Sequence, residues 1–124
     1  IIISGIQEYD LIGAVFDGGG STLDTGSSVF RQIPADCQII GWSIVTDQVG
    51  SITIDVKKCT YSGYPTTASI AGASKPTIGS DQKNTSSSLG AWTTDLNRGD
   101  YVEFYVDSVT DIQMAMISLQ ILRK

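Results

Sequence analysis

The sequence predicts an all-β fold, an antiparallel β-sandwich of jelly-roll type with about eight strands. Apolar and polar residues alternate with a period of two in several short runs, and no stretch shows a helical period. Glycine, proline and aspartate separate these runs, as turns do in sandwich folds. The composition, 41% hydrophobic and 17% charged over 124 residues, indicates one globular domain spanning 1–124.

The chain begins with two predicted strands separated by a bend. Residues 1–8 are expected to be an N-terminal arm or a linker from an upstream part. Tyr9–Asp17 alternates as a strand does. Asp17–Ser21 holds three consecutive glycines, which permit backbone angles that other residues avoid, so it predicts a sharp bend or a close-contact loop. Val29–Pro34 is a short strand that ends at a proline, which cannot donate to a ladder.

The stretch Ala35–Tyr61 predicts a long β-hairpin with its turn at 47–50. Cross-strand partners share a face, so Trp42 is expected opposite Ile54 or one register step away. In the second register Gly50 takes a left-handed backbone conformation. The second arm is expected to carry a polar face toward water. The apolar rows are Ile40, Trp42 and Ile44 in the first arm and Ile52, Ile54 and Val56 in the second.

The two cysteines, Cys37 and Cys59, lie near each other in both registers, on the face away from Trp42. Two cysteines do not make a disulfide framework. They are expected either as two reduced thiols or as a cross-strand disulfide, and an oxidising compartment would favour the disulfide.

The second half of the chain predicts a long loop followed by three strands. Tyr61–Ser88 is rich in Ser, Thr, Gly and Ala, which indicates a loop with short strands at 68–70 and 76–78. The strands that follow are predicted at Ala91–Asp95, Tyr101–Asp107 and Asp111–Leu122, with a turn at 96–100.

The start of the last strand is apolar on both faces, unlike the one-sided pattern elsewhere. A strand of this kind is typically covered on both sides. Ile112, Met114 and Met116 are therefore predicted to form an oligomer interface.

The residue types argue against an enzyme, a metal site or a cofactor. There is no histidine, which removes the commonest general base and metal ligand. Most of the eleven aspartates stand at turns, where capping of the backbone accounts for them. Arg98-Gly99-Asp100 matches an integrin-binding triplet, but the run Asn97–Asp100 is equally the composition of a tight turn before a strand.

The charge and hydropathy of the chain restrict the classes of partner that we expect. The net charge of −5 and the lack of a basic cluster make nucleic acid an unexpected partner. No apolar run approaches the ~20 residues of a membrane span. Aromatic residues in or beside loops, Tyr61, Tyr64 and Trp92, are the candidate binding residues because aromatic faces stack on sugar rings; Trp92 is also a candidate for the core.

Several runs in fixed order resemble a domain that recurs in minor structural and tail-fibre proteins of tailed bacteriophages. The runs are F-D-G-G-G-S-x-L (16–23), I-x-G-W-S-I-V-x-D-Q-x-G-S-I-x-x-D-V (39–56), K-x-T-Y-x-x-Y-P (58–65), S-K-P-T (74–77), G-A-W-T-T (90–94) and R-G-D-Y-V-x-F-x-V-D-S (98–108). Lys57 and Cys59 depart from the family pattern, which has an aromatic residue and an acidic or polar residue at these positions. The resemblance therefore implies nothing about a disulfide.

The resemblance implies a non-enzymatic virion module, surface-exposed and typically trimeric. The expected function is that of a tail-fibre or receptor-binding domain that contacts a host cell-surface glycan. The alternatives are a capsid decoration protein that packs on other virion proteins, and a secreted carbohydrate-binding module. The resemblance supplies no binding residues.

Overall fold

A computed structural model describes residues 8–124, so Ile1–Gln7 of the expected arm lie outside the described residues. The strands are β1 (Tyr9–Asp17), β2 (Ser28–Gln32), β3 (Cys37–Cys59), β4 (Ala68–Ser69), β5 (Thr77–Ser86), β6 (Asp95–Leu96), β7 (Tyr101–Thr110) and β8 (Met114–Arg123). All their pairings are antiparallel, so the predicted all-β antiparallel fold with about eight strands is confirmed. No helix in the described part of the chain is long and apolar enough to cross a membrane.

The sheet is organised around the 23-residue strand β3. Its first half pairs with β8 and its second half with β7, and these two strands lie end to end along one edge of β3. Along the other edge lie β6, β5 and β4 in turn. Straight, β3 would span roughly 75 Å, far more than a domain with a radius of gyration of roughly 14 Å can hold. The strand therefore bends.

The predicted hairpin at 35–61 is wrong, because its two arms are the two halves of this one bent strand. Trp42 pairs with Leu119 and Ser86, and Ile54 pairs with Val106. A hairpin and a bent strand share the same alternation, so the apolar rows do not distinguish them. The halves face each other across the core instead of lying side by side.

A β-bulge changes one of the predicted core residues. The register of β3 against β8 shifts between Ile39 and Gly41, which makes Ile40 the extra residue. Ile39 therefore points inward in place of Ile40, and it is 1% exposed. The other residues of the two predicted rows are buried as expected: Trp42, Ile44, Ile52, Ile54 and Val56.

Three backbone hydrogen bonds join the two halves of β3 near their ends. The Ile39 amide donates to Thr94, the Thr93 amide donates to Ile70, and the Ile70 amide donates to Val56, each at 2.9 Å. We call the bent strand β3 the arch. The segments around 70 and 93–94 bridge its two ends, and the curled sheet closes on itself.

Polar side chains hold the bend at 46–50. The Asp47 carboxylate accepts hydrogen bonds from the backbone amides of Gln113 and Met114 at 3.1 and 3.0 Å. The side-chain amide of Gln48 donates to the carbonyl of Asp111. From the other edge, the Gln82 side chain donates to the carbonyls of Thr46 and Asp47. Each neighbouring chain segment is fixed to the bend in this way.

Two predicted elements differ from those observed. The second half of the predicted loop is the ten-residue strand β5, whose largely exposed polar residues hide the period-two pattern. The predicted strand Ala91–Asp95 is reduced to the two residues of β6, because 90–92 form a turn in which the Trp92 amide donates to Leu89.

Gly50 has a different role from the one predicted. It is not among the glycines with positive φ. A Cβ at this position would lie 2.4 Å from the carbonyl oxygen of Thr110 and 2.8 Å from Cγ1 of Ile112. Gly50 is therefore required for the close approach of β7 to the bend.

We expect Gly50→Ala to lower the free energy of unfolding by roughly 1–3 kcal/mol, because a Cβ overpacks the bend. Urea denaturation followed by tryptophan fluorescence measures the loss. Gly79→Ala is the matched control, since its Cβ would meet no atom within 4 Å. Equal unfolding midpoints for the two variants would contradict the role given to Gly50.

Candidate ligand-binding site

Four aromatic side chains gather where β3 ends. Phe30 comes from β2 and Tyr101 from the start of β7. Tyr61 and Tyr64 come from the turn that follows Cys59, the last residue of β3. The ring centres of Phe30 and Tyr64 are 4.9 Å apart, those of Tyr64 and Tyr101 are 5.4 Å apart, and those of Tyr61 and Tyr101 are 6.3 Å apart.

The turn at 60–64 presents the two tyrosines to solvent. The amides of Gly63 and Tyr64 both donate to the carbonyl of Thr60 at 3.1 Å, and the Thr60 hydroxyl also accepts from Gly63. Tyr61 is left 71% exposed and Tyr64 49% exposed. The peptide bond between Tyr64 and Pro65 is cis.

These rings line an open pocket of about 610 Å³, which we call the aromatic pocket: Phe30, Tyr61, Ser62, Tyr64 and Tyr101. Its volume lies within the range of small-molecule sites, roughly 300–1,000 Å³. Two of the predicted binding residues, Tyr61 and Tyr64, are therefore brought together. Phe30 and Tyr101 were not predicted as binding residues, because their position beside Tyr64 depends on the register of β2 on β7.

The third predicted binding residue, Trp92, belongs to the core. It is 8% exposed and packs within the buried cluster. Its indole N–H donates to the carbonyl of Ser74 at 2.9 Å. The core alternative for Trp92 is the one observed, and its ring has no open face for a ligand.

Polar contacts fasten residues 60–76, here called the strap, over the outer face of the second half of β3. The Thr67 hydroxyl donates to Glu103 at 2.6 Å, and the Ser69 hydroxyl donates to Asp55 at 2.7 Å. The Lys75 ammonium lies 2.5 Å from the Asp107 carboxylate and 3.7 Å from that of Asp55. This face was expected to be open to water, but the strap covers it and buries Asp55 and Glu103.

Of the three residues predicted to form an oligomer interface, two are exposed on the surface and one is not. Ile112 is fully buried in the core, because it lies in the turn before β8, where the alternation of the strand does not apply. Met114 and Met116 are 44% and 46% exposed. With Val15 and Val45 they line an apolar groove of about 300 Å³ on the outer face of the first half of the sheet. Leu11, exposed on β1, is on the same side by strand alternation.

Both cysteines are free and buried, so no disulfide joins Cys37 to Cys59 in the structure. Burial raises the pKa of both thiols, and the carboxylates of Asp100 and Glu103 raise the pKa of Cys59 further. Thiols in such surroundings stay protonated at neutral pH and are poor nucleophiles.

The triplet Arg98-Gly99-Asp100 forms the tight turn that its composition predicts. Gly99 has a positive φ of 91°, and the Asp100 carboxylate accepts from the Asn97 amide at 3.1 Å. Asp100 is 5% exposed and lies 4.0 Å from the Lys58 ammonium. Its carboxylate is committed to the turn and is not offered to a partner.

Residues 8–124 contain no group of three or more histidine, cysteine or acidic side chains that could hold a metal ion. The arrangement offers aromatic surface and hydroxyl groups for binding. Stacking and hydrogen bonding are the interactions that these side chains can offer to a ligand.

The sequence matches no protein-family model and no curated protein. Among solved structures the chain is similar to the crystal structure of a serine protease of Aeromonas sobria, at 12% sequence identity and a TM-score of 0.33. The similarity covers 96% of this chain and 27% of that chain. A similarity at this TM-score carries no argument about fold or activity.

We expect Lys75→Met to destabilise the protein by on the order of 1 kcal/mol, because it leaves the buried Asp55 without its cation. The value is below the ~3–5 kcal/mol of fully buried pairs because the Lys75 side chain is 34% exposed. Urea denaturation at pH 7 measures the loss. Lys83→Met, at an exposed lysine for which the structure describes no ion pair, should leave the midpoint unchanged.

The same variant gives a pH dependence. The hydrogen bond to Asp107 raises the pKa of Lys75 above its ordinary value. The stabilisation is complete below the ordinary lysine pKa of about 10.4 and is lost as the pH rises through the raised pKa. The difference in free energy of unfolding between wild type and Lys75→Met should therefore disappear at pH values above the raised pKa of Lys75. A gap that persists at strongly alkaline pH would contradict the ion-pair explanation.

Proposed function

We propose that this chain is a non-enzymatic module of a tailed-phage virion that binds a host cell-surface glycan through the aromatic pocket. The observation that carries the proposal is the pocket itself. Tyr61 and Tyr64 are solvent-exposed and adjacent to two further rings, although exposed aromatic side chains are costly on a surface that has no partner.

The runs that resemble phage tail-fibre proteins support the proposal, since they coincide with the structurally demanding places. The run at 39–56 contains the bend of β3. The run at 58–65 carries Tyr61 and Tyr64, and the run at 98–108 carries Tyr101. The resemblance thus includes both the element that shapes the fold and three of the four rings of the pocket.

The apolar groove favours a second role, assembly. Met114, Met116, Val15 and Val45 expose apolar surface on a sheet face that the strap does not cover. We propose that the chain forms a homotrimer through this face. If the chain is a capsid decoration protein or a fibre joint, the same face packs on other virion proteins. A secreted carbohydrate-binding module would use the aromatic pocket in the same way but would be absent from purified particles.

We expect Tyr61→Ala and Tyr64→Ala each to weaken glycan binding about tenfold, since stacking on one ring contributes roughly 1–2 kcal/mol. An array of bacterial surface oligosaccharides identifies the ligand, and isothermal titration calorimetry measures the dissociation constants. The control is Tyr9→Ala, which removes a 64% exposed tyrosine from β1, an element that contributes no residue to the pocket. Equal affinities for all four proteins would refute the pocket as the binding site.

We expect the wild-type chain to sediment at about three times 13.2 kDa at micromolar concentration, and Met116→Asp to sediment as a monomer. A carboxylate on this face cannot be desolvated without a partner. Thr66→Asp, which adds the same charge on the exposed surface of the strap, should remain trimeric. A monomeric wild-type protein would count against the trimer.

A further inference from the structure

We propose that the ligand of the aromatic pocket is an uncharged sugar, and that acidic sugars are excluded. This inference rests on the proposed glycan-binding function and specifies its substrate class. The side chains that line the pocket are one phenylalanine, three tyrosines and one serine. None of these side chains carries a charge, so none can form an ion pair with the carboxylate of a uronic or sialic acid.

Three basic side chains that are near the pocket in sequence or register are directed elsewhere. Arg31 follows Phe30 in β2, and strand alternation places its side chain on the opposite face. Lys57 lies in the same cross-strand row as Phe30, but its ammonium sits 4.0 Å from the centre of the Tyr105 ring. Lys58 contacts the carbonyl of Asp95 and the carboxylate of Asp100.

An acidic residue lies beside the pocket instead. Glu103 follows Tyr101 two residues later on the same face of β7. It is 9% exposed. Glu103 is held by the neutral hydroxyl of Thr67, which does not cancel its charge. Together with the net charge of −5, this carboxylate repels an anionic ligand.

The ring geometry suits a pyranose better than a second aromatic ring or a compact cation. The rings meet at 71°, 48° and 32°, so they form a concave surface and not a set of parallel walls. One tyrosine can stack on the apolar face of a sugar while the hydroxyls of the others, with that of Ser62, reach its rim. A pocket of about 610 Å³ is also wider than a cage closed around one ammonium group.

Saturation-transfer NMR and calorimetry test the inference with matched pairs of oligosaccharides. Each pair is a neutral tri- or tetrasaccharide ending in glucose, galactose, mannose or an N-acetylhexosamine, and the same core ending in a uronic or sialic acid. Tetramethylammonium is included because aromatic residues can also bind quaternary ammonium groups. We expect at least one neutral member to bind ten times more tightly than its acidic counterpart, with the difference narrowing at high salt as repulsion is screened.

A gain-of-function variant separates charge from shape. Ser62→Arg places a cation at the rim of the pocket and should raise the affinity for the acidic member of the preferred pair at least tenfold, since Arg binds carboxylates in a bidentate manner. Thr66→Arg adds the same charge outside the pocket and should leave the affinity for the acidic sugar unchanged.

Each other outcome overturns a specific statement. Acidic sugars that bind as tightly as neutral ones, with the same dependence on Tyr64, would overturn the inference and leave the glycan-binding function intact. Tetramethylammonium binding more tightly than every sugar would overturn the inference and the function together. So would the absence of binding by every saccharide in the panel.

Discussion

The bend in β3 is the constraint on which the rest of the structure depends. A strand of 23 residues fits a domain of this size only if it folds back, and the bend places its two apolar rows opposite each other as the two sides of one core. Each strand that pairs with both halves of β3, or with one half next to the bend, must then change direction beside the bend. The Asp47 carboxylate holds the turn between β7 and β8, and the side chain of Gln82 holds β5.

The two halves of the bent sheet have different outer faces. The strap covers the second half, and its contacts explain why Asp55 and Glu103 are buried at positions where the alternation points outward. The first half has no such cover, and its outward row carries Val15, Val45 and Met116. A buried acid with a partner is compatible with a closed face, whereas exposed apolar residues favour a face that is closed by another molecule.

The sequence was sufficient for the fold class and for most of the core, because period-two alternation reports directly which residues face inward. It could not distinguish a hairpin from a bent strand, since Trp42 and Ile54 face the core in both and only the partners differ. Ile40 was misplaced because a bulge leaves no mark on an apolar run. Two of the four rings of the aromatic pocket were identified from loop tyrosines, while Phe30 and Tyr101 required the register of β2 on β7.

The arch also places the aromatic pocket and the apolar groove at different ends of the molecule. Tyr101 pairs with Cys59 at the end of β3, so the aromatic pocket lies where the arch closes. The apolar groove is built from Val45, Thr46 and Asp47 at the bend, together with Met114 at the start of β8. Assembly through the groove would therefore occupy the bend and leave the pocket of each copy accessible at the opposite end. A displayed module needs this separation, because a ligand site that shared the assembly face would be covered by the assembly itself.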